Sequence, residues 1–249
     1  LNYFLHDLLD CYVISIINNI NYIYKDFINF YNYIALKVHY ILGGIVMKRK
    51  IIVANNLLEK KQYGDYTFPI DFDYNTLFAY EYGFLDYHWH YEMTFSIILE
   101  GSMEYRVNDK IYNMKKGDGL FINSHTLHTA KGYNNKDCAF LALMFRPNFI
   151  FGHEESIIKT KYIDIIENST QCPAFFLDSK NKIHQNIISI ILQASNIFYE
   201  KKSCYELLIK SKICEMWSLF FNEVSSILQD EQIFNSNDII RLSKILNFI

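Results

Sequence analysis

No Cys-x-x-Cys pair occurs in this 249-residue chain, and its cysteines are odd in number: Cys11, Cys138, Cys172, Cys204 and Cys214. That argues against a disulfide framework and against a structural zinc ribbon. A reducing cytoplasm is the simplest compartment. A basic excess is missing too. The formal net charge is −3, whereas nucleic-acid binding usually shows as a basic face. No clean membrane span is present: Asn18, Asn19 and Asn21 interrupt the most apolar early stretch, and Lys25 and Asp26 follow. A signal peptide also fails, for want of a positive leader and a small-residue cleavage site. Proline is scarce, with three residues in all, while Asn, Ile, Tyr, Phe and Lys abound. These are residues of AT-rich codons, so the bias reads as genomic.

What is present is a core. The chain is 51% hydrophobic and 17% aromatic, and its length suggests one or two domains. Residues 1–46 differ from the rest, being rich in Ile, Asn and Tyr without helical or strand periodicity. Gly43-Gly44-Ile45-Val46-Met47 must be encoded GGN-GGN-AUH-GUN-AUG, which with A-rich third positions resembles a ribosome-binding site before a start codon. Translation is therefore expected to begin at Met47, with 1–46 a non-native or disordered upstream extension. Without Asp7, Asp10, Lys25, Asp26 and Lys37 the remainder stays near neutral.

From about 66 to 147 the pattern is short strands and turns. Leu77 to Tyr80 is strand-like, and Met93 to Leu99 favours strand. Gly101 breaks that run. Met103, Tyr105 and Val107 then alternate, and Asn108-Asp109 turns the chain into a partner strand from Lys110 to Met114. Lys116 to Gly119 makes another turn before Leu120-Phe121-Ile122, and Cys138 to Phe145 is a continuous apolar strand. Frequent short strands predict a β-barrel or double-sheet sandwich.

After Pro173 the period becomes helical. Asp178 or Ser179 is placed to cap one helix, and Ser203 with Glu206 forms a capping box for a second. The short link between them predicts an antiparallel hairpin. A third helix is expected from a cap at Ser236 or Asn237, still in phase when the chain stops at Ile249.

The chemistry-bearing residues are His88, His90 and His128, with Gly101 and Gly117-Asp118 between them. Two histidines one residue apart on a strand share a face. The pattern resembles the cupin fold: His88, His90 and Gly101 match its first motif, and Gly117, Asp118 and His128 its second. Gly83 is one position off, and Asn123 stands where the second motif has proline. Within cupins, the stretch from His88 to Ala130 resembles the N-terminal sensor domain of AraC-type transcriptional regulators. The following hairpin resembles their linker and dimerisation segment, and the last residues resemble the first helix leading into their helix-turn-helix domain.

The resemblance implies a mainly β fold with an α-helical C-terminal part: a cupin jelly-roll barrel at 47–175, linker helices at 176–234, and the start of a truncated helix-turn-helix domain at 235–249. It implies a small-molecule effector, a sugar or another metabolite, received at His88, His90, Thr94 and His128, with Glu92 a lesser candidate. It also implies a homodimer through the helices, and DNA contact only through the missing domain. No catalytic residue, cofactor or membrane contact is expected. The carboxylate of a metal cupin belongs four or five residues past His90, where Thr94 and Phe95 stand. If a metal binds, His88, His90 and His128 are its ligands, since three histidines suffice for zinc or a similar ion. Two other classes stay open: a metal-dependent cupin isomerase or oxygenase, and a plain binding or storage cupin. Against them stand bland readings. The histidines can be structural, Trp89 packing, and Tyr80, Tyr82 and Tyr105 barrel filling.

Overall fold

A computed structural model describes residues 48–246, with side chains through 225. The expected extension at 1–46 lies outside the described residues. Among those described, nine strands form two antiparallel sheets. They are β1 (Ile70–Thr76), β2 (Phe84–His88), β3 (Met93–Glu100), β4 (Ser102–Val107), β5 (Lys110–Lys115), β6 (Gly119–Ile122), β7 (His128–Gly132), β8 (Ala139–Phe145) and β9 (Ala174–Leu177). One sheet has the order β1-β8-β3-β6-β9, the other β2-β7-β4-β5. Between them lies the apolar interior, including Leu77, Met103, Leu120, Phe140 and Met144. This is a cupin-like barrel. Two one-turn helices, α1 (Asn148–Phe151) and α2 (Asp164–Glu167), precede β9, and the long helices α3 (Lys182–Glu200) and α4 (Tyr205–Leu246) follow it.

The strand patterns report what covers each face. β4 alternates, with Met103, Tyr105 and Val107 in the interior and Glu104 and Arg106 outward. β8 does not alternate, because both of its faces are buried. Its Phe140, Ala142 and Met144 face the interior, while Phe145 meets Trp217 of α4 at 6.0 Å between ring centres. The helices lie on the outer face of the five-stranded sheet. Phe220 of α4 packs 5.1 Å from Phe95 and 4.5 Å from Phe121. On α3, the Ser195 and Tyr74 hydroxyls lie 2.9 Å apart, and the Tyr199 hydroxyl donates to the Phe72 carbonyl.

Several local expectations are corrected. Leu77–Ala79 is a 3-10 turn rather than a strand. Leu77 is fully buried, and the Asp137 carboxylate accepts from the Phe78 N–H, which turns the backbone away from the sheet. The cap of α3 is Asn181, not Asp178 or Ser179; its side-chain oxygen accepts from the Ile183 and His184 N–H groups. Ser203 does not cap α4. Cys204 adopts φ 63° between Ser203 and the first helical turn, and the Ser203 hydroxyl rests on the Cys204 sulfur at 3.6 Å. Further on, α4 runs unbroken through 236–237, where a new helix was expected to start. A helix already under way satisfies the backbone groups that an N-cap would serve. Finally, β9 pairs with β6 and carries the barrel slightly past the expected boundary at 175.

Candidate functional site

The three motif histidines meet at one end of the barrel. His88 ends β2 and is paired across the sheet with His128, the first residue of β7. His90 lies just past the strand, in the connection to β3, rather than on the strand itself. Trp89 is bridged to Leu58, and its indole N–H donates to the Asn56 carbonyl. That directs Trp89 away while its two neighbours turn inward together. The imidazole centres of His88 and His128 are 4.1 Å apart, and those of His90 and His128 are 5.0 Å apart. One ring nitrogen from each histidine lies within 4.8 Å of the others.

Hydrogen bonds decide the tautomers. Nδ1 of His88 lies 2.7 Å from the Asp86 carbonyl, Nδ1 of His90 lies 2.9 Å from the Glu92 carbonyl, and Nδ1 of His128 lies 2.8 Å from the Thr126 carbonyl. A carbonyl only accepts, so each Nδ1 carries the proton and each Nε2 keeps its lone pair. Burial acts in the same direction. It pushes His88 down to about 4 and His90 down to about 3, the latter also opposed by the His88 charge. His128 is driven well below its ordinary range by burial, then by His88 and His90. The result is three neutral imidazoles with ring nitrogens gathered within 4.8 Å of one another and each Nε2 lone pair free of a proton. Imidazoles that hold metals show this same pattern, the second nitrogen donating to a carbonyl.

Thr94, on β3, is buried, and its hydroxyl is 3.5 Å from Nε2 of His90. It therefore joins the centre. Glu92 does not. Its carboxylate meets the Nδ1 edge of His90, at 3.8 Å, and accepts from Arg146 Nε at 3.2 Å. His125 sits on the loop with φ 60°, against Trp89 and Tyr91. Tyr105 is buried with its ring 6.0 Å from that of His128, and Tyr80 is half-buried against the interior. Tyr82 is exposed, outside the barrel.

The two motif glycines and Asn123 act structurally. Gly101 has φ +81°, and a side chain there would stand 2.8 Å from the Asp137 carbonyl. Gly117, at φ +89°, lets the turn approach Ser179. Asn123, in the place of the motif proline, is buried and donates to the Ile166 and Cys172 carbonyls.

Two residues of the site carry no motif: Glu59 and Tyr63. Both are buried. The Tyr63 hydroxyl donates to the Glu59 carboxylate at 3.0 Å, and the Tyr63 ring stands edge-on to His90 at 5.9 Å. Burial raises the Glu59 carboxyl to about 7, partly offset by the Tyr63 hydrogen bond. Their segment precedes the first sheet strand and has no periodicity to mark it. A hydrophobic-pattern reading passes over it for that reason.

The family model for the AraC-like ligand-binding domain matches residues 71–194. Those residues form an AraC-like ligand-binding domain. It includes both barrel sheets and most of α3. The chain is also 27% identical over 202 residues to the uncharacterised helix-turn-helix-type transcriptional regulator YdeC of Bacillus subtilis, covering 81% of this chain and 67% of that one. Among solved structures, an RmlC-like cupin from Shewanella frigidimarina is similar at 16% identity and a TM-score of 0.28, over 31% of this chain and 67% of that one. A predicted oxalate decarboxylase from Thermotoga maritima shares 30% identity at a TM-score of 0.24, over 25% of this chain and 56% of that one. Oxalate decarboxylase of Bacillus subtilis overlaps 25% of this chain at 19% identity and a TM-score of 0.24, and only 18% of its own length is covered. No helix among the described residues is long and apolar enough to cross a membrane.

Proposed function

We propose that this chain is the effector-sensing part of a one-component, cytoplasmic transcriptional regulator. Its small-molecule effector is received at His88, His90 and His128, beside Thr94. The observation that carries this reading is the double use of β3. Thr94 faces the imidazoles from one side of the strand, at 3.5 Å from His90, while Phe95, next in sequence, packs on Phe220 of α4 from the other side. A ligand that prefers one position of β3 thereby biases the helical hairpin. It can do so only through different affinities for the two arrangements. The hairpin exposes Ile183, Leu207 and Leu208, which suit a homodimer contact. Dimer geometry then sets which DNA half-sites helix-turn-helix units of a whole regulator reach.

A thermal-shift screen of sugars and small metabolites on the full chain tests the reading. At least one ligand should raise the melting temperature, and His88→Ala should abolish that rise. Ligands indifferent to His88→Ala and His128→Ala would place the effector elsewhere.

A second reading is favoured by the donor set. Three neutral imidazoles with their Nδ1 protons on carbonyls fit a divalent first-row cation. His88, His90 and His128 would hold it, whether the cation serves sensing or a metal-dependent cupin enzyme. Turnover by metal-loaded protein would favour the enzyme; metal binding without turnover would favour the sensor.

A further inference from the structure

Three imidazoles give a cation nitrogen donors but leave its charge unanswered. Among the described residues only the three imidazoles lie within 4.8 Å of one another, and two buried carboxylates flank them: Glu92, 3.8 Å from His90, and Glu59, held by Tyr63, whose ring stands against His90. Glu92 is already committed: it pairs with Arg146, and it approaches His90 from the Nδ1 edge, away from the Nε2 lone pair.

Glu59 is not committed. The Trp89 N–H donates to the Leu57 carbonyl, and the Glu59 N–H donates to the Trp89 carbonyl, at 3.0 and 2.9 Å. These bonds make the parallel bridge between Leu58 and Trp89. Bridged residues share a face, so Glu59 falls on the opposite one, together with His88 and His90. It is 8% exposed. Its hydrogen-bond donor is the hydroxyl of Tyr63, whose ring touches His90. No salt bridge to Glu59 is formed among the described residues. Asp73, by contrast, has Arg49 at 2.9 Å and Lys61 at 3.5 Å. Buried carboxylates are normally paired, hydrogen-bonded or bound to a metal; Glu59 stands on the imidazole side with the Tyr63 hydroxyl as its donor, and the Lys61 charge reaches it without forming an ion pair.

We propose that Glu59 supplies the carboxylate of a divalent cation site formed with His88, His90 and His128. It takes the role that Thr94 leaves vacant on β3. In the cation-free state Tyr63 holds the Glu59 carboxylate; on binding, the carboxylate turns to the cation. A site of three nitrogens and one oxygen suits zinc, cobalt, nickel, manganese or iron in the divalent state. The cation then ties the segment before β1 to β2 and β7, so occupancy and the position of that segment are linked. The proposal rests on the reading that the imidazole centre receives a cation.

Cobalt(II) is the probe. Full-length chain, stripped with a chelator, is titrated and followed by visible absorption and by competition for affinity. Wild type should take up one equivalent. Glu59→Gln should bind at least about tenfold more weakly, with an altered spectrum. Glu59→Asp should recover part of the loss, and its recovery separates ligation from folding. Tyr63→Phe should bind as wild type or tighter, because its hydroxyl serves only the empty state. Glu92→Gln should keep the wild-type spectrum. Wild-type affinity and spectrum in Glu59→Gln would overturn the assignment of Glu59 while leaving the cation centre standing. Absence of binding by wild type, or binding unaffected by His90→Ala, would overturn the cation reading itself.

Discussion

The two sheets of the barrel share an interior and differ outside. The five-stranded sheet is covered by α3 and α4, so its strands are apolar on both faces; Phe95, Phe121 and Phe145 point at the helices while Thr94, Ile122 and Met144 point inward. The four-stranded sheet turns Glu104, Arg106 and Lys131 to solvent and keeps Met103, Tyr105 and Ala130 inside. Yet the imidazole centre draws on both. His88 and His128 come from the open sheet, His90 from the connection between the sheets, and Thr94 from the covered one. A ligand received there, as proposed, would touch a wall that faces water and a wall backed by helices, and the second is the one packed on α4.

The largest break of this comparison is Phe220→Ala. Phe220 is fully buried among Phe95, Phe121 and Phe175. Its removal should cost about 3–5 kcal/mol in urea unfolding. A loss below about 1 kcal/mol would mean that the hairpin does not seal this sheet.

Acid should act next, at the junction of the sheets. In chelator-treated protein His88 and His90 fall from 6.5 to about 4 and about 3. Between those values and 6.5 the unfolded chain binds protons that the folded chain refuses, so stability is lost as the pH falls through that window. Glu59 opposes this. Raised from 4.5 to about 7, it holds a proton in the folded state, and stability is lost as the pH rises across that range. Three imidazoles against one carboxylate leave a net loss on acidification, on the order of a few kcal/mol between about pH 7 and about pH 5. The urea midpoint at the two pH values measures it, and His88→Gln should reduce the difference. An unchanged midpoint would contradict the neutral buried cluster.

The smallest effect belongs to the open face. Lys131 and Glu104 pair at 3.1 Å with the lysine largely exposed. Lys131→Ala should cost less than about 1 kcal/mol in the same assay. A loss like that of Phe220→Ala would show that this face is covered in solution.

Much of the fold was legible because burial writes itself as a period. The alternation of β4, the unbroken apolar run of β8 and the helical spacing after Pro173 each record which faces meet water. Where a different force decided, the reading missed. Leu77–Ala79 has strand composition, but an Asp137 hydrogen bond turns it. The α3 cap moved to Asn181 because that is where the chain leaves extended geometry, not where the first suitable side chain occurs. In the site, His88, His90 and His128 were visible as a motif, whereas Glu59 and Tyr63 were not. Their place depends on isolated bridges, Leu58 to Trp89 and Glu59 to Val53, the first across a separation in sequence that no spacing rule covers.

The amino-acid order by itself determined that the chain makes an antiparallel barrel followed by long helices, and its resemblance to the cupin motifs singled out three histidines and Thr94. Hydrophobic periodicity and turn residues act over a few neighbours, so they are readable locally. The tertiary structure alone decided which sheet the helices cover, that every Nδ1 proton is held by a carbonyl, and that a carboxylate from outside the motif stands on the histidines' face. Those outcomes depend on which distant segments exclude water from each other, and on hydrogen bonds that exist only once they have done so.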